Sequence, residues 1–147
     1  MPCANVLFVL LMLGLPLGAA ADAEEFSTGI VMHVDGLKTD QGTLHCALYA
    51  NAKGFPTEPE HAATEVKVQV REKRATCVFP DVKAGRYAVA LWHDVNGDNK
   101  LDANWLGIPK EPVGSSNNAK GSFGPPSFAK ASFDFQPPLV RQTIRLE

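Results

Sequence analysis

Histidine and cysteine are scarce in this chain, and their spacing excludes the common short metal motifs. The 147 residues contain four histidines and three cysteines, with no C-x-x-C, H-x-H, H-x-x-x-H or H-E-x-x-H sequence. Zinc sites built from neighbouring residues use such spacings. The chain also lacks G-x-S-x-G and a glycine-rich loop leading into a helix. Neither a nucleophile-elbow hydrolase nor a phosphate-binding loop is therefore indicated.

The chain also lacks an excess of basic residues, and it lacks the spacing of apolar residues that is typical of helices. Fourteen Lys and Arg residues stand against 16 Asp and Glu, for a formal net charge of −2, and no basic run occurs. A nucleic-acid partner is not expected, because its electrostatic footprint is a basic patch or stripe. Beyond the N-terminal region, apolar residues alternate with polar ones instead of recurring every three or four positions, which argues against a helical fold.

A single long apolar run is present, and it lies at the N-terminus, from Val6 to Leu17. It is too short to span a bilayer, which needs about 20 apolar residues. The small residues that follow, at 19–21 and 21–23, fit the signal-peptidase rule. We predict a cleaved signal peptide over 1–23, and an uncleaved anchor is the alternative. The remaining domain, 24–147, is then exported to the periplasm or the cell exterior, with no stable membrane span.

Short alternating segments fill the rest of the chain. They predict about seven strands, separated by turn signals, in a single domain, with one helical turn near His61. This pattern is typical of an all-β, antiparallel sandwich of the Ig-like or transthyretin-like kind. The predicted strands cover residues 30–35, 43–50, 65–71, 75–79, 86–93, 129–135 and 139–146.

Two cysteines, Cys46 and Cys77, remain after the signal peptide. Local alternation places Cys46 on the face of Leu44 and Leu48, and Cys77 on the face of Phe79. Both therefore lie on apolar faces, where they can meet. In an oxidising compartment such a pair indicates one disulfide. Two buried free thiols are the alternative.

A long loop rich in Asp, Gly, Pro and aromatic residues is predicted over 94–128. Ordinary connections span about 4–6 residues, and longer ones tend to be functional or disordered. The loop begins with oxygen ligands at every second position, the spacing with which a loop wraps a calcium ion. The candidate ligands are Asp94, Asn96, Asp98, the carbonyl of Lys100, and Asp102.

The match to a calcium loop is incomplete. Asn99 stands where an EF-hand has its glycine, and Trp105 stands where it has its bidentate glutamate. Glu111 is a candidate to complete the ligand shell. The alternative is a polar turn in which Asp and Asn side chains cap the local backbone. The broken motif favours the turn, whereas repulsion among three carboxylates in nine residues keeps calcium open.

The same loop carries a candidate binding surface. We assign to it His93, Trp105, Glu111, Phe123 and Phe128, with Trp92 beside them. Aromatic surfaces of this kind bind proteins, peptides or glycans. The alternative, which we favour, is that the loop folds back and buries its aromatic residues. His33 and His45 fall on polar strand faces, where solvated or hydrogen-bonded side chains are expected.

Two stretches of sequence resemble known families. A-G-R-Y-A-V at 84–89 is similar to the turn and strand of transthyretin-like and carboxypeptidase-regulatory modules. A longer pattern resembles a bacterial exported family called domain of unknown function 2141, over about residues 29–146. The resemblance implies a transthyretin-like sandwich and no established activity. Its motifs are H-D-x-N-x-D-x-K-L-D at 93–102, G-I-P-K-E at 107–111, G-x-S-N-N at 114–118 and F-G-P-P-S-F at 123–128.

Two functions remain open from the sequence. The first is a non-enzymatic binding or structural module that presents the 94–128 loop, ordered by calcium, to an unknown partner. The second is a small secreted hydrolase in which His93 acts with Asp94 or Glu111 as an acid–base pair. The first is favoured because the ingredients for catalysis are thin.

Overall fold

The computed structural model describes residues 27–146, so the predicted signal peptide over 1–23 lies outside the described residues. The described chain is mostly β, as predicted, with eight strands, one short helix and two 3₁₀ turns. The strands are β1 (Gly29–Asp35), β2 (Thr43–Tyr49), β3 (Thr64–Gln69), β4 (Ala75–Phe79), β5 (Gly85–Asp94), β6 (Val113–Ser115), β7 (Phe133–Phe135) and β8 (Leu139–Arg145). The 3₁₀ turns are Pro59–His61, as expected near His61, and Ser116–Asn118, and the helix is α1 (Phe128–Ala131).

The strands form two sheets that enclose one core. The smaller sheet has the order β4-β1-β8, and the larger runs β3-β2-β5, with β6 and β7 sharing the outer edge of β5. Strand pairing is antiparallel except between β1 and β8, which run parallel. Inward-facing residues alternate along each strand and pack between the sheets, as in a sandwich. Representative core residues are Ile30, Met32, Leu44, Phe79, Val89 and Leu91.

The predicted disulfide joins the two sheets. Cys46 on β2 and Cys77 on β4 are bonded, with their Cα atoms 6.5 Å apart. Both residues are buried in the main hydrophobic cluster. The alternative of two free thiols is therefore wrong. Disulfides of this kind persist in oxidising compartments, which is consistent with export. Within residues 27–146, every helix falls short of the length and apolar character needed to cross a membrane.

Two segments differ from the prediction. The strand expected over 129–135 begins only at Phe133, because 128–131 form a helical turn in which the Ser127 hydroxyl accepts a hydrogen bond from the Lys130 amide. The 94–128 loop is also more regular than expected. It contains β6, whose backbone pairs Ser115 with Ala90 on the free edge of β5. Such pairing satisfies backbone groups that would otherwise be left open.

The G-x-S-N-N segment fastens the returning loop to the sandwich. Ser116 is fully buried; its Oγ accepts a hydrogen bond from the Val89 amide at 2.9 Å and donates one to the Ala131 carbonyl at 2.5 Å. Asn117 and Asn118 adopt positive φ angles. The amide group of Asn117 donates to the Ser132 carbonyl, and that of Asn118 donates to the Thr143 carbonyl on β8. These contacts fix where the long loop rejoins the sheets.

Candidate functional site

Asp94, the last residue of β5, organises the start of the long loop. Its side chain is 1% exposed. Oδ1 accepts a hydrogen bond from the Gly97 amide at 2.7 Å, and Oδ2 accepts one from the Asn99 amide at 2.9 Å. Nε2 of His45, on the neighbouring strand β2, lies 3.4 Å from Oδ2. One buried carboxylate thus turns the chain through 94–99.

The charge on Asp94 is stabilised by these donors. Burial alone would raise its pKa, but the amide donors of Asn99, Gly97 and Asp98 and the nearby His45 outweigh that effect. The pKa of Asp94 is consequently lowered from the usual 3.8. Burial, together with the charge of Lys67, lowers the pKa of His45, and the attraction of Asp94 only partly opposes this. The pair therefore consists of an ionised carboxylate and a neutral imidazole near pH 7.

The other candidate ligands also bind local groups. Oδ1 of Asn96 accepts from the Asp98 amide at 3.1 Å, and Oδ1 of Asp98 accepts from the Lys100 amide at 2.9 Å. The side-chain amide of Asn96 donates to Oδ2 of Asp102 at 2.9 Å. These are the self-capping contacts expected of a polar turn.

Glu111 closes the loop from its far side. One carboxylate oxygen accepts from the Val95 amide at 3.0 Å, and the other accepts from the Asp102 amide at 3.3 Å. Glu111 therefore reaches both ends of the Asp94–Asp102 segment, where the sequence suggested an additional ligand. The loop carboxylates do not cluster as three converging ligand atoms. In residues 27–146 the only such group of His, Cys, Asp or Glu side chains is Glu58, Glu60 and His61. Calcium binding at the loop stays a prediction.

The segment 104–108, which we call the tip, presents apolar side chains to solvent. A bridge between Ala103 and Pro109 closes its base. Oδ1 of Asn104 accepts hydrogen bonds from the amides of Leu106 and Ile108, at 2.9 and 3.0 Å. Trp105 is 90% exposed, Leu106 60% and Ile108 56%. The tip is a turn with an ordered backbone and an open apolar surface.

The favoured expectation that the loop buries its aromatic residues is therefore wrong for Trp105 and also for Phe123, whose side chain is fully exposed. It holds only in part for Phe128, which is half-buried and packs edge-on against Phe55 with ring centroids 5.8 Å apart. Trp92 stacks on His45, with ring centroids 4.1 Å apart. The exposed aromatic side chains therefore lie in the loop itself, and Phe128 and Trp92 cover the outer face of the larger sheet.

His93 does not belong to the loop surface. It faces the core, is fully buried, and donates from Nε2 to the Gln41 carbonyl at 2.7 Å, while its buried Nδ1 has no partner. Strand alternation sends the adjacent Asp94 to the opposite face, and both oxygens of Glu111 bind backbone amides. Because a general base must reach a substrate, the hydrolase alternative built on His93 loses its geometric basis.

The family comparison covers the same loop and both sheets. Residues 32–142 match the family model described as an uncharacterized protein conserved in bacteria, DUF2141. The chain belongs to the DUF2141 family. Comparisons with curated proteins and with solved structures each found no match. The closer likeness to transthyretin remains a prediction.

In this DUF2141 chain, His45 has a role that its place on a polar strand face does not predict. It was expected to be solvated or hydrogen-bonded on a polar face, but it is 5% exposed, beneath Trp92 and next to Asp94. The signal for this burial was the pairing of His45 with Trp92 across the predicted strands, together with the Pro-containing segment 51–63. Local alternation alone could not reveal that a second layer covers this face.

Proposed function

We propose that this protein is an exported binding module whose tip docks into an apolar recess on a partner protein. The observation that carries the proposal is the 90% exposure of Trp105 on a turn closed by Asn104. Trp is enriched among the residues that dominate binding energies at interfaces. Leu106 and Ile108 extend the same apolar surface. Location outside the cytoplasm is supported by the disulfide between the sheets.

The ordered backbone of the tip favours binding over an accidental apolar exposure. Large exposed apolar groups on soluble proteins often mark interaction sites. Asn104 and Glu111 hold the segment with hydrogen bonds before any partner arrives. Preorganised segments lose less conformational entropy on association, so more of the apolar contact energy appears as affinity.

Photo-crosslinking tests this docking. We expect p-benzoylphenylalanine at position 105 to form one discrete adduct in the bacterium that makes the protein. The same probe at Lys83, an exposed position in the turn that leads into β5 and lies at the opposite end of that strand, serves as the matched control and should form none. Excess wild-type domain should abolish the adduct, whereas a domain carrying W105A, L106A and I108A should not. Equal labelling at both positions, or no adduct at 105, would contradict the proposal.

Calcium binding by the 94–102 loop is a second candidate function. The observation that favours it is the position of Glu111, whose two oxygens lie at both ends of the loop. A bidentate carboxylate is the ligand that the motif lacks at position 105. Bound calcium would neutralise the carboxylates and hold the base of the tip, so that metal and partner binding would be coupled.

Thermal melting with and without metal tests the calcium candidate. A ligand that binds only the native state stabilises it by about 2.7 kcal/mol at a hundredfold excess over Kd. For a domain of this size we expect the midpoint to rise by roughly 10 °C in millimolar calcium relative to EDTA. Asp98→Ala should abolish the rise, whereas Asp81→Ala, outside the loop, should retain it. No shift in the wild type would identify the segment as a self-capped turn.

A further inference from the structure

A groove lies on the outer face of the larger sheet, away from the core. Alternate residues of β2 form its floor, with Trp92 of β5 beside them. Pro56 and Pro59, and Asn99 and Leu101 of the long loop, also line it. Its volume is about 150 Å³. A cavity of that size holds a benzene-sized molecule in other proteins.

Two buried polar side chains at this groove have no hydrogen-bond partner. Tyr49 is fully buried, and its hydroxyl is unpaired. His45 is 5% exposed, and its Nε2 is also without a hydrogen bond, since the 3.4 Å approach to Asp94 lacks hydrogen-bond geometry. Buried polar atoms nearly always have a partner, because leaving one unpaired is costly. Both residues line the groove, so a bound molecule can supply what the protein does not.

The Tyr49 end of the groove is negatively charged. Burial raises the pKa of Tyr49 to about 12, and the charges of Glu65, Glu60 and Glu58 add to the effect. Among the described residues, Glu65 has no hydrogen-bond or ion-pair partner. The nearest cation along β3 is Lys67, whose Nζ donates to Oδ1 of Asn99 at 2.9 Å. A cation that entered at Tyr49 would therefore meet the carboxylate of Glu65, which lacks a counter-ion, whereas Glu58 already faces Nε2 of His61 at 3.4 Å.

Aromatic and aliphatic groups complete the groove. Trp92 stacks on His45, and Tyr49 meets Phe55 edge to face, with ring centroids 5.2 Å apart. The faces of aromatic rings attract organic cations as well as apolar groups. The groove thus combines an aromatic surface, unpaired acceptors and negative charge.

We propose that this groove binds a small organic ammonium ion, with the ammonium group at Tyr49 and Glu65 and the alkyl part against Trp92 and Leu101. The hydroxyl oxygen of Tyr49 and the carboxylate of Glu65 accept hydrogen bonds from the ammonium group. This site is separate from the tip, so its test does not depend on the partner of the tip.

Titration with n-butylammonium, followed by the NMR resonances of the Trp92 indole and the His45 ring, tests the proposal. We expect saturable shifts with a millimolar Kd, as befits a ligand of few atoms. n-Butanol and butyrate, of nearly the same shape, should bind at least tenfold more weakly. Equal binding of butanol would reduce the groove to an apolar crevice. A concentration of 50 mM butylammonium is about fifty times a Kd of 1 mM. The absence of shifts at that concentration would mean that the groove holds only water.

Three variants sharpen the test. Tyr49→Phe removes an unpaired hydroxyl, so it should leave the melting temperature unchanged or higher while weakening butylammonium binding about three- to tenfold. Glu65→Gln should weaken binding about two- to fivefold. Glu72→Gln makes the same charge change in the turn beyond the far end of β3 and should leave Kd unchanged. A loss of stability in Tyr49→Phe without a change in Kd would overturn the assignment.

Discussion

Replacing Cys46 and Cys77 together by alanine should lower the free energy of unfolding by about 3–4 kcal/mol. The disulfide closes a loop between residues 31 positions apart. In the chain-entropy model, the loss of that closure stabilises the unfolded ensemble by about this amount. The two thiols also belong to the main core cluster, so their removal adds a small packing loss. The melting temperature should fall by roughly 10–15 °C.

Urea unfolding of three samples separates these contributions. The oxidised wild type is the reference, the reduced wild type lacks only the crosslink, and the double alanine variant lacks the sulfur atoms as well. We expect reduction of the disulfide alone to cause most of the decrease in the free energy of unfolding. A difference below about 1 kcal/mol between the oxidised and reduced proteins would contradict the entropic account.

Asp94→Asn should destabilise the domain by about 2–3 kcal/mol, although it changes the side chain by one atom. Asp94 uses both carboxylate oxygens, one for the Gly97 amide and one for the Asn99 amide. An amide side chain keeps one acceptor and turns an NH₂ group toward the other donor. Hydrogen bonds to a charged group contribute about 1.5–3 kcal/mol, and a buried donor left unpaired is costly.

Asp98→Asn is the matched control, because it makes the same chemical change in the same loop. Asp98 is exposed, and its contact to the Lys100 amide needs one oxygen, which asparagine keeps. We expect a change of less than about 0.5 kcal/mol. Chemical denaturation of the two variants side by side measures the difference. Equal losses would show that charge alone, and not buried hydrogen bonding, governs the loop.

The stability difference between the wild type and Asp94→Asn should depend on pH. The folded-state pKa of Asp94 is lowered relative to the unfolded chain. A carboxylate of this kind contributes stability that is present above its unfolded pKa and lost as pH falls through its folded pKa. The difference in unfolding free energy should therefore have its largest value above about pH 5 and decrease as the pH falls below about 4. A constant difference across that range would contradict the role of the ionised carboxylate.

Local alternation was sufficient to predict most strands and the disulfide. The alternation of inward and outward residues along 44–48 and around Cys77 predicts that both sulfur atoms face the core. Two inward-facing cysteines on facing sheets of a sandwich can then form the disulfide. The parallel pairing of β1 with β8 was not predictable in this way, because it depends on contacts between the two ends of the chain. Strand β6 was missed because three residues carry too little periodicity.

The candidate site was predictable in part. The oxygen-rich spacing identified Asp94 and its neighbours, since Asx-type capping is a local property. The exposure of Trp105 was not predicted, because it follows from how Asn104 closes the tip. The groove at Tyr49 was missed for a different reason. Alternation predicts that the face of a strand opposite the core is solvated, whereas the segment carrying Phe55 and Pro56 covers this face.

The parallel alignment of β1 and β8 also gives the molecule a direction. Gly29 pairs with Leu139 at one end, and Asp35 pairs with Arg145 at the other. The turn after Asp35 leads to Thr43, whose partner is Asp94, so the long loop leaves from the second end. Seven residues of strand separate the ends by roughly 20 Å. Tethering the protein through the chain before Gly29 would therefore place the start of the long loop, at Asp94, at the far end of the sandwich, whereas tethering it after Leu146 would place that start at the near end.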